Sequence, residues 1–210
     1  MALISALSLF DVLLRLVVGA VVAGLAGAVA AWTANRLGDD GPLHDGRATL
    51  NPLRHLDVLG LVAAVVFRVT WPSPVDVDPQ RMALRSWRAL LVPVATAAVL
   101  VAVGVAALVA RPLALRWLAD QVGLGVASAL ATFFHIASRS AVVSLLPFPG
   151  MPGAVLLAVL WPRAAAWGRS GTVRALTAVL VLLLLGLGIG TNLLAAVTSS
   201  IAAMLGYTVP

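Results

Sequence analysis

The chain has 210 residues, of which 61% are hydrophobic and only 10% are charged, with a formal net charge of +6. A water-soluble domain cannot cover itself with so little charge, so we expect lipid to be the solvent. All basic residues are arginines, all acidic residues are aspartates, and Lys, Glu and Cys are absent, which excludes a glutamate general base, a cysteine nucleophile and a lysine Schiff base.

The first predicted element is a membrane helix over residues 9–34, since a crossing helix needs roughly 20 mainly apolar residues. A small-x-small pattern that ends at Ala30 would also fit a secretory signal peptide. Asp11 and Arg15 interrupt the apolar stretch, however, and favour a retained helix. We treat residues 1–210 as a single membrane domain.

Residues 40–88 are predicted to be cytoplasmic loops that enclose one apolar run, at 56–69. This run is too short to span a bilayer comfortably and is expected to be re-entrant or interfacial. The prolines from Pro72 to Pro79 exclude a helix interior after it. Seven arginines, Arg85 among them, lie between the first two helices, so the positive-inside rule places this region in the cytoplasm and the N-terminus outside.

The remaining apolar runs predict a helix at 89–110, a helix at 115–146, a short segment at 154–161 and one long last helix at 173–205. Arg111 and Arg116 are placed in the connection between the two middle helices. The predicted fold is an all-α polytopic membrane bundle of four to six segments. Small residues at four-residue spacing predict close helix packing, within the bundle or with a partner helix: Gly19, Ala23, Gly27 and Ala31 in the first helix, and Gly186 and Gly190 in the last.

The loop after the first helix has the most specific pattern in the chain. Residues 46–60 read GRATLNPLRHLDVLG, which closely resembles the GRLTLNPLxHxDPxG loop of small bacterial site-2 proteases, the M50 metallopeptidase family. Residues 34–39, 71–79 and 144–153 resemble the end of that family's first catalytic helix, its GWAKPVPVNP loop and its NLLPIPPLDG segment, in the same order. The resemblance covers residues 20–160 and implies a site-2-protease-like bundle in the bacterial inner membrane.

The positions that carry catalysis in that family differ here. In the family an HExxH motif supplies two zinc ligands and the general base, and an aspartate of the LDG segment completes the site. The corresponding residues of this chain are Ala26, Gly27, Ala30 and Pro152. None of these side chains carries a zinc donor atom, so we expect no catalytic residues, no metal, no cofactor and no enzyme activity.

Five polar residues are candidates for structural or partner contacts. Asn51, His55 and Asp57 lie in the retained loop, and we expect them to fix its shape through hydrogen bonds. His135 and Arg139 lie four residues apart in a predicted membrane helix. Either Arg139 extends to the interface, or this face contacts a partner subunit, a lipid headgroup or a cofactor.

Three functions are compatible with these patterns. The favoured one is an inactive protease fold that acts as an accessory, structural or assembly subunit of a multisubunit membrane complex, with integral membrane proteins and lipid as partners. A regulatory pseudoprotease that binds transmembrane substrates transiently is the second, and a transporter or enzyme with an unrecognised site is the third. Nucleic acid is not expected as a partner, because the arginines are scattered singly along the chain.

Overall fold

The computed structural model describes residues 8–79, 81–82 and 86–207, and the regular structure within these ranges is entirely helical. The all-α prediction is confirmed for these residues, while Arg85 lies outside them. Short 3₁₀ turns occur at Pro52–Arg54, Ser86–Leu90 and Pro152–Ala154. The helices are α1 (Leu9–Arg36), α2 (Gly41–His44), α3 (Val58–Phe67), α4 (Leu91–Trp117), α5 (Asp120–Leu145), α6 (Val155–Leu160), α7 (Pro162–Gly168), α8 (Gly171–Gly186) and α9 (Thr191–Met204).

Three of the described helical segments are long and apolar enough to cross a membrane: Leu9–Arg36, Trp87–Trp117 and Asp120–Leu145. The bent pair formed by α8 and α9 adds a fourth if it is taken as one span. The predicted runs at 56–69 and 154–161 form α3 and α6, with ten and six residues. These two helices are too short to cross a bilayer. Thus three or four of the predicted segments have the length of a span.

Small side chains let α1 pack closely against its neighbours. The helix begins with a capping box between Ser8 and Asp11, and its buried face consists mainly of Gly, Ala and Val. At Gly19 an added Cβ would lie 2.6 Å from the Cβ of Ala64 on α3, so only glycine fits there. The predicted small-residue ridge of α1 therefore packs within the bundle.

The segment that contains α3 is a hairpin alongside α1. Asp57 caps the start of α3, and its Oδ1 also accepts a hydrogen bond of 3.2 Å from Trp71 Nε1 in the extended segment that follows α3. The chain reverses after Arg68, whose left-handed φ of 54° ends the helix. The Ser73 N–H then donates to the His55 carbonyl at 2.7 Å. Both ends of the hairpin are thus at the same end of α1, and its tip points towards the start of α1.

The predicted boundary between the two middle helices was wrong. α4 continues through Pro112 to Trp117, and α5 begins only at Asp120. Arg111 and Arg116 therefore belong to α4 and do not lie in a connection. The prediction ended the helix at its first charged residue, but a long arginine side chain near a helix end can reach the polar layer of the membrane from within the helix.

The predicted single last helix, at 173–205, was also wrong. Residues 171–204 form two helices, α8 and α9, that are bent by 76° at their junction. Gly188 and Gly190 have φ angles of 81° and 85°, in the left-handed region that glycine adopts without steric cost. Gly190 is the N-cap of α9, so Gly186 and Gly190 do not form a ridge on one continuous helix.

Candidate functional site

Ala26 and Ala30, which the resemblance aligns with the family's two histidine ligands, lie on the buried face of α1. Ala26 is 1% exposed and belongs to an apolar cluster formed with α3, α4 and α5. Ala30 is also 1% exposed and shares a second apolar cluster with Val155 at the start of α6. Pro152 is buried in the 3₁₀ turn that leads directly into Val155. The fold therefore brings the segment at 152–155 to the C-terminal half of α1, where the surrounding side chains are apolar.

The imidazole of His55 occupies the space beside Gly27. A Cβ added at Gly27 would lie 2.2 Å from Nδ1, 2.6 Å from Cγ and 2.9 Å from Cε1 of that ring. His55 is fully buried, and its Nε2 lies 3.0 Å from the carbonyl oxygen of Thr49. Because a carbonyl only accepts, the proton is assigned to Nε2 and Nδ1 carries the lone pair. A side chain from the loop thus fills the space beside Gly27, the residue that the resemblance aligns with the family's general base.

Burial lowers the pKa of His55 below its ordinary value of 6.5, and nearby Arg47 lowers it further. The hydrogen bond with the Thr49 carbonyl opposes this shift without cancelling it. His55 is therefore a neutral ring at neutral pH. Its Nδ1 has no hydrogen-bond partner among the described residues, because it faces the backbone of α1 at Gly27.

The other candidates in the retained loop hold its backbone in place. The Asn51 side chain accepts a hydrogen bond of 3.1 Å from the Leu53 N–H and so caps the 3₁₀ turn that follows. Pro52 in that turn lies against α1, where an added Cβ at Gly24 would be 2.9 Å from the Pro52 Cα. The Oδ1 of Asp57 accepts a hydrogen bond of 2.8 Å from a backbone N–H in the first turn of α3. The geometry gives these residues structural contacts.

Three of the segments that carry the family resemblance, residues 46–60, 71–79 and 144–153, line one groove, which we call the loop groove. Its wider part has a volume of about 340 Å³, and a narrower part of about 50 Å³ continues from it. Pro74, Gly150, Met151 and Arg174 line both parts, so residues 71–77, residues 149–158 and the start of α8 together enclose the groove.

An ion pair joins α8 to residues 71–77 on the other side of the loop groove. Arg174 on α8 pairs with Asp76, and its Nε also donates to the Gly168 carbonyl at 3.2 Å. The side chain of Arg174 is only 20% exposed, whereas that of Asp76 is 57% exposed. The bridge therefore holds the groove's walls together at one point. Sequence reasoning missed Arg174, since nothing in the sequence pairs two residues that lie 98 positions apart.

His135 and Arg139 lie at the tip of the hairpin, far from the loop groove. Arg139 Nη1 donates to the Phe67 carbonyl at 3.0 Å, and Arg15 Nη1 donates to the Val65 carbonyl at 2.6 Å. Both carbonyls belong to the last turn of α3, where helix carbonyls lack intrahelical partners. Arg139 thus stabilises the end of α3, which neither sequence interpretation anticipated, while His135 faces a separate cavity.

Within the part of the chain that the structure describes, no three His or Asp side chains come together as a metal site. The side chains of Ala26, Gly27, Ala30 and Pro152 also do not fit the zinc ion that the family resemblance implies. The side chains of alanine and proline and the bare Cα of glycine offer no donor atom, and Ala26 and Ala30 are packed in apolar clusters.

Comparison with known proteins shows one local similarity. The chain is 40% identical over 48 residues to a Bacillus subtilis (strain 168) protein named "Putative zinc metalloprotease YwhC". The matched part is 23% of this chain and 22% of the length of that protein. No protein-family model matches the chain, and no solved structure matches it.

Proposed function

We propose that the chain is a catalytically inactive, site-2-protease-like membrane protein that serves as an accessory or assembly subunit of a larger membrane complex. One observation carries this proposal: the loop groove is present, whereas the positions of the metal ligands are filled with apolar side chains. A groove without catalytic groups is suited to holding a polypeptide, not to cleaving it.

The proposed lack of protease activity rests on the lack of atoms that could bind zinc. A catalytic zinc site needs three protein ligands and an open position for water. Ala26, Gly27 and Ala30 supply no ligand. The unprotonated Nδ1 of His55 is a single potential ligand atom, and it faces the α1 backbone. With no Glu in the chain, the base of such a reaction is missing as well.

The loop groove has the features of a binding site for a segment of another protein. Trp71, Pro74 and Met151 give it apolar walls, and Asp57 adds a carboxylate within the wider part. A volume of about 340 Å³ accommodates a few partner side chains. Because residues 71–77 and 149–151 of its lining lie in loops between the helices, we expect a partner to reach the groove at the membrane surface.

Filling the loop groove tests this function. Ala175 is an exposed residue of α8 that lines the groove, so Ala175→Trp inserts a bulky ring without disturbing the core. Ala195→Trp makes the same change at an exposed position of α9 and is the matched control. Each variant is expressed in its native membrane, extracted in mild detergent and analysed by quantitative mass spectrometry.

We expect the unmodified chain and Ala195→Trp to co-purify with a fixed set of membrane proteins at constant stoichiometry, and Ala175→Trp to lose them. Equal partner recovery for both variants would reject the loop groove as the binding site. A chain that is purified free, with partners at variable substoichiometric levels, would indicate a regulatory pseudoprotease instead.

A further inference from the structure

A second cavity, of about 190 Å³, lies at the opposite end of α1 from the loop that contains His55. We call it the arginine cavity. It is enclosed by the first turns of α1, the hairpin tip, the last turns of α4 and the middle of α5. Its polar lining residues are Asp11, Arg15, Arg68, Arg111, Ser128, Thr132 and His135.

The arginine cavity has an excess of positive charge. Three arginines and one aspartate line it, which leaves a formal charge of +2 with His135 neutral. The carboxylate of Asp11 is already engaged by the backbone N–H and hydroxyl of Ser8. The guanidinium groups of Arg68 and Arg111 have no hydrogen bond or ion pair among the described residues. Neither guanidinium therefore has a direct partner within the described ranges, and the single carboxylate of Asp11 offsets only one of the three positive charges.

Buried polar atoms without partners cluster at the same place. His135 is only 8% exposed, and its Nδ1 has no hydrogen-bond partner among the described residues. The buried Nε atoms of Arg111 and of neighbouring Arg139 also lack partners in that part of the chain. A buried polar group left unpaired costs about 1–3 kcal/mol, and charged groups cost more. Donors of this kind around one cavity call for an acceptor that carries negative charge.

The depth of the arginine cavity in the membrane matches that of lipid phosphates. With a rise of 1.5 Å per residue, the 28 residues of α1 extend about 42 Å, which is the thickness of a bilayer with its headgroups. Arg15 and Arg111 each lie six residues from the helix end at this face, or about 9 Å. Both arginines are therefore close to the boundary between headgroups and hydrocarbon.

We propose that the arginine cavity binds a phosphate-bearing anion, held by the guanidinium groups of Arg15, Arg68 and Arg111 and by an imidazole N–H of His135. The volume of about 190 Å³ equals that of about six water molecules, enough for a phosphate group with part of a glycerol unit. Arginine suits this ligand, because its planar fork donates two parallel hydrogen bonds to phosphate oxygens. The anion is supplied by a phospholipid headgroup or by free phosphate.

The test compares two variants of α4 that each replace one arginine with neutral glutamine. Arg111→Gln removes a lining guanidinium, and Arg116→Gln removes an equal charge from an exposed position five residues later, where the side chain stacks on Trp117 at 5.5 Å. The whole chain is purified in a neutral detergent. Binding of phosphatidylglycerol and of phosphatidylcholine is measured by native mass spectrometry, and inorganic phosphate is titrated separately while the melting temperature is recorded.

We expect the unmodified chain and Arg116→Gln to bind phosphatidylglycerol in preference to phosphatidylcholine, and Arg111→Gln to bind it roughly tenfold or more weakly. If phosphate alone raises the melting temperature and competes with the lipid, then free phosphate is a ligand; if only the lipid binds, the headgroup is. Arg68→Asn, which tolerates the left-handed backbone at this position, gives the same readout should Arg111→Gln fail to fold. Equal affinity of both glutamine variants for the anion would overturn the proposal. So would a chain that neither prefers phosphatidylglycerol over phosphatidylcholine nor responds to inorganic phosphate.

Discussion

Replacing Gly27 with alanine probes the contact between α1 and the His55 ring. The added Cβ would lie 2.2 Å from His55 Nδ1, whereas an ordinary contact distance is about 3.4 Å or more, so the ring must move by about 1.2 Å. The ring is fully buried and hydrogen-bonded to the Thr49 carbonyl, which leaves it little freedom to move. Overpacking of this kind costs about 1–3 kcal/mol.

Gly125→Ala is the matched control for this experiment. Gly125 is also a helical glycine, in α5, but a Cβ there would meet nothing within 4 Å. Both substitutions gain the same helix propensity, about 0.5–1 kcal/mol, so this term cancels in the comparison. We therefore expect Gly27→Ala to be less stable than Gly125→Ala by about 1–3 kcal/mol.

Thermal unfolding in detergent, followed by tryptophan fluorescence, measures the difference, since each kcal/mol shifts the midpoint by about 2–4 °C in a chain of this size. A double variant, Gly27→Ala with His55→Ala, completes a mutant cycle, and we expect the second substitution to relieve the first. If Gly27→Ala is as stable as Gly125→Ala, the ring does not occupy this space and the reasoning fails.

Three further predictions concern pH, the hairpin tip and the bend. Because the folded-state pKa of His55 is lowered, its contribution to stability should be complete above pH 6.5 and decline as the pH falls towards the folded-state pKa. The free energy of unfolding, measured at several pH values, should show this decline, and the decline should be smaller in His55→Gln. Arg139→Met should destabilise the protein by about 1–3 kcal/mol relative to Arg163→Met at an exposed position, because it leaves the Phe67 carbonyl unpaired; equal unfolding free energies would contradict this. Gly190→Ala should cost about 1–2 kcal/mol from its φ of 85° alone, since its Cβ would meet no neighbour, and an unchanged melting temperature would show that the bend is not fixed there.

Much of the helical framework could be predicted because apolar length is a strong signal in lipid. The first helix was placed within two residues of its observed end at Arg36. The break of the last helix was missed, because the apolar run continues through Leu187 and Ile189 and hydropathy does not report φ. The left-handed backbone of Gly188 and Gly190 lies at the break. A glycine pair at two-residue spacing is the signal that could have indicated it.

The retained loop was recognised from its residues, but its packing was not. The pattern around Asn51 and His55 identified the segment, yet nothing local to it predicts that the His55 ring would rest on Gly27. Contacts between residues 28 positions apart depend on how the hairpin folds back along α1. The same limit explains why Arg139 was assigned to the interface or to a partner, when its acceptor is the Phe67 carbonyl, 72 positions away.

The central claim is that this fold binds partners without metal chemistry. It is tested most directly on protein extracted from its native membrane in mild detergent, with zinc content and co-purifying proteins determined on the same sample. We expect no stoichiometric zinc and a fixed set of membrane proteins at constant ratio to the chain. A free protein that carries one zinc ion per chain would contradict the account.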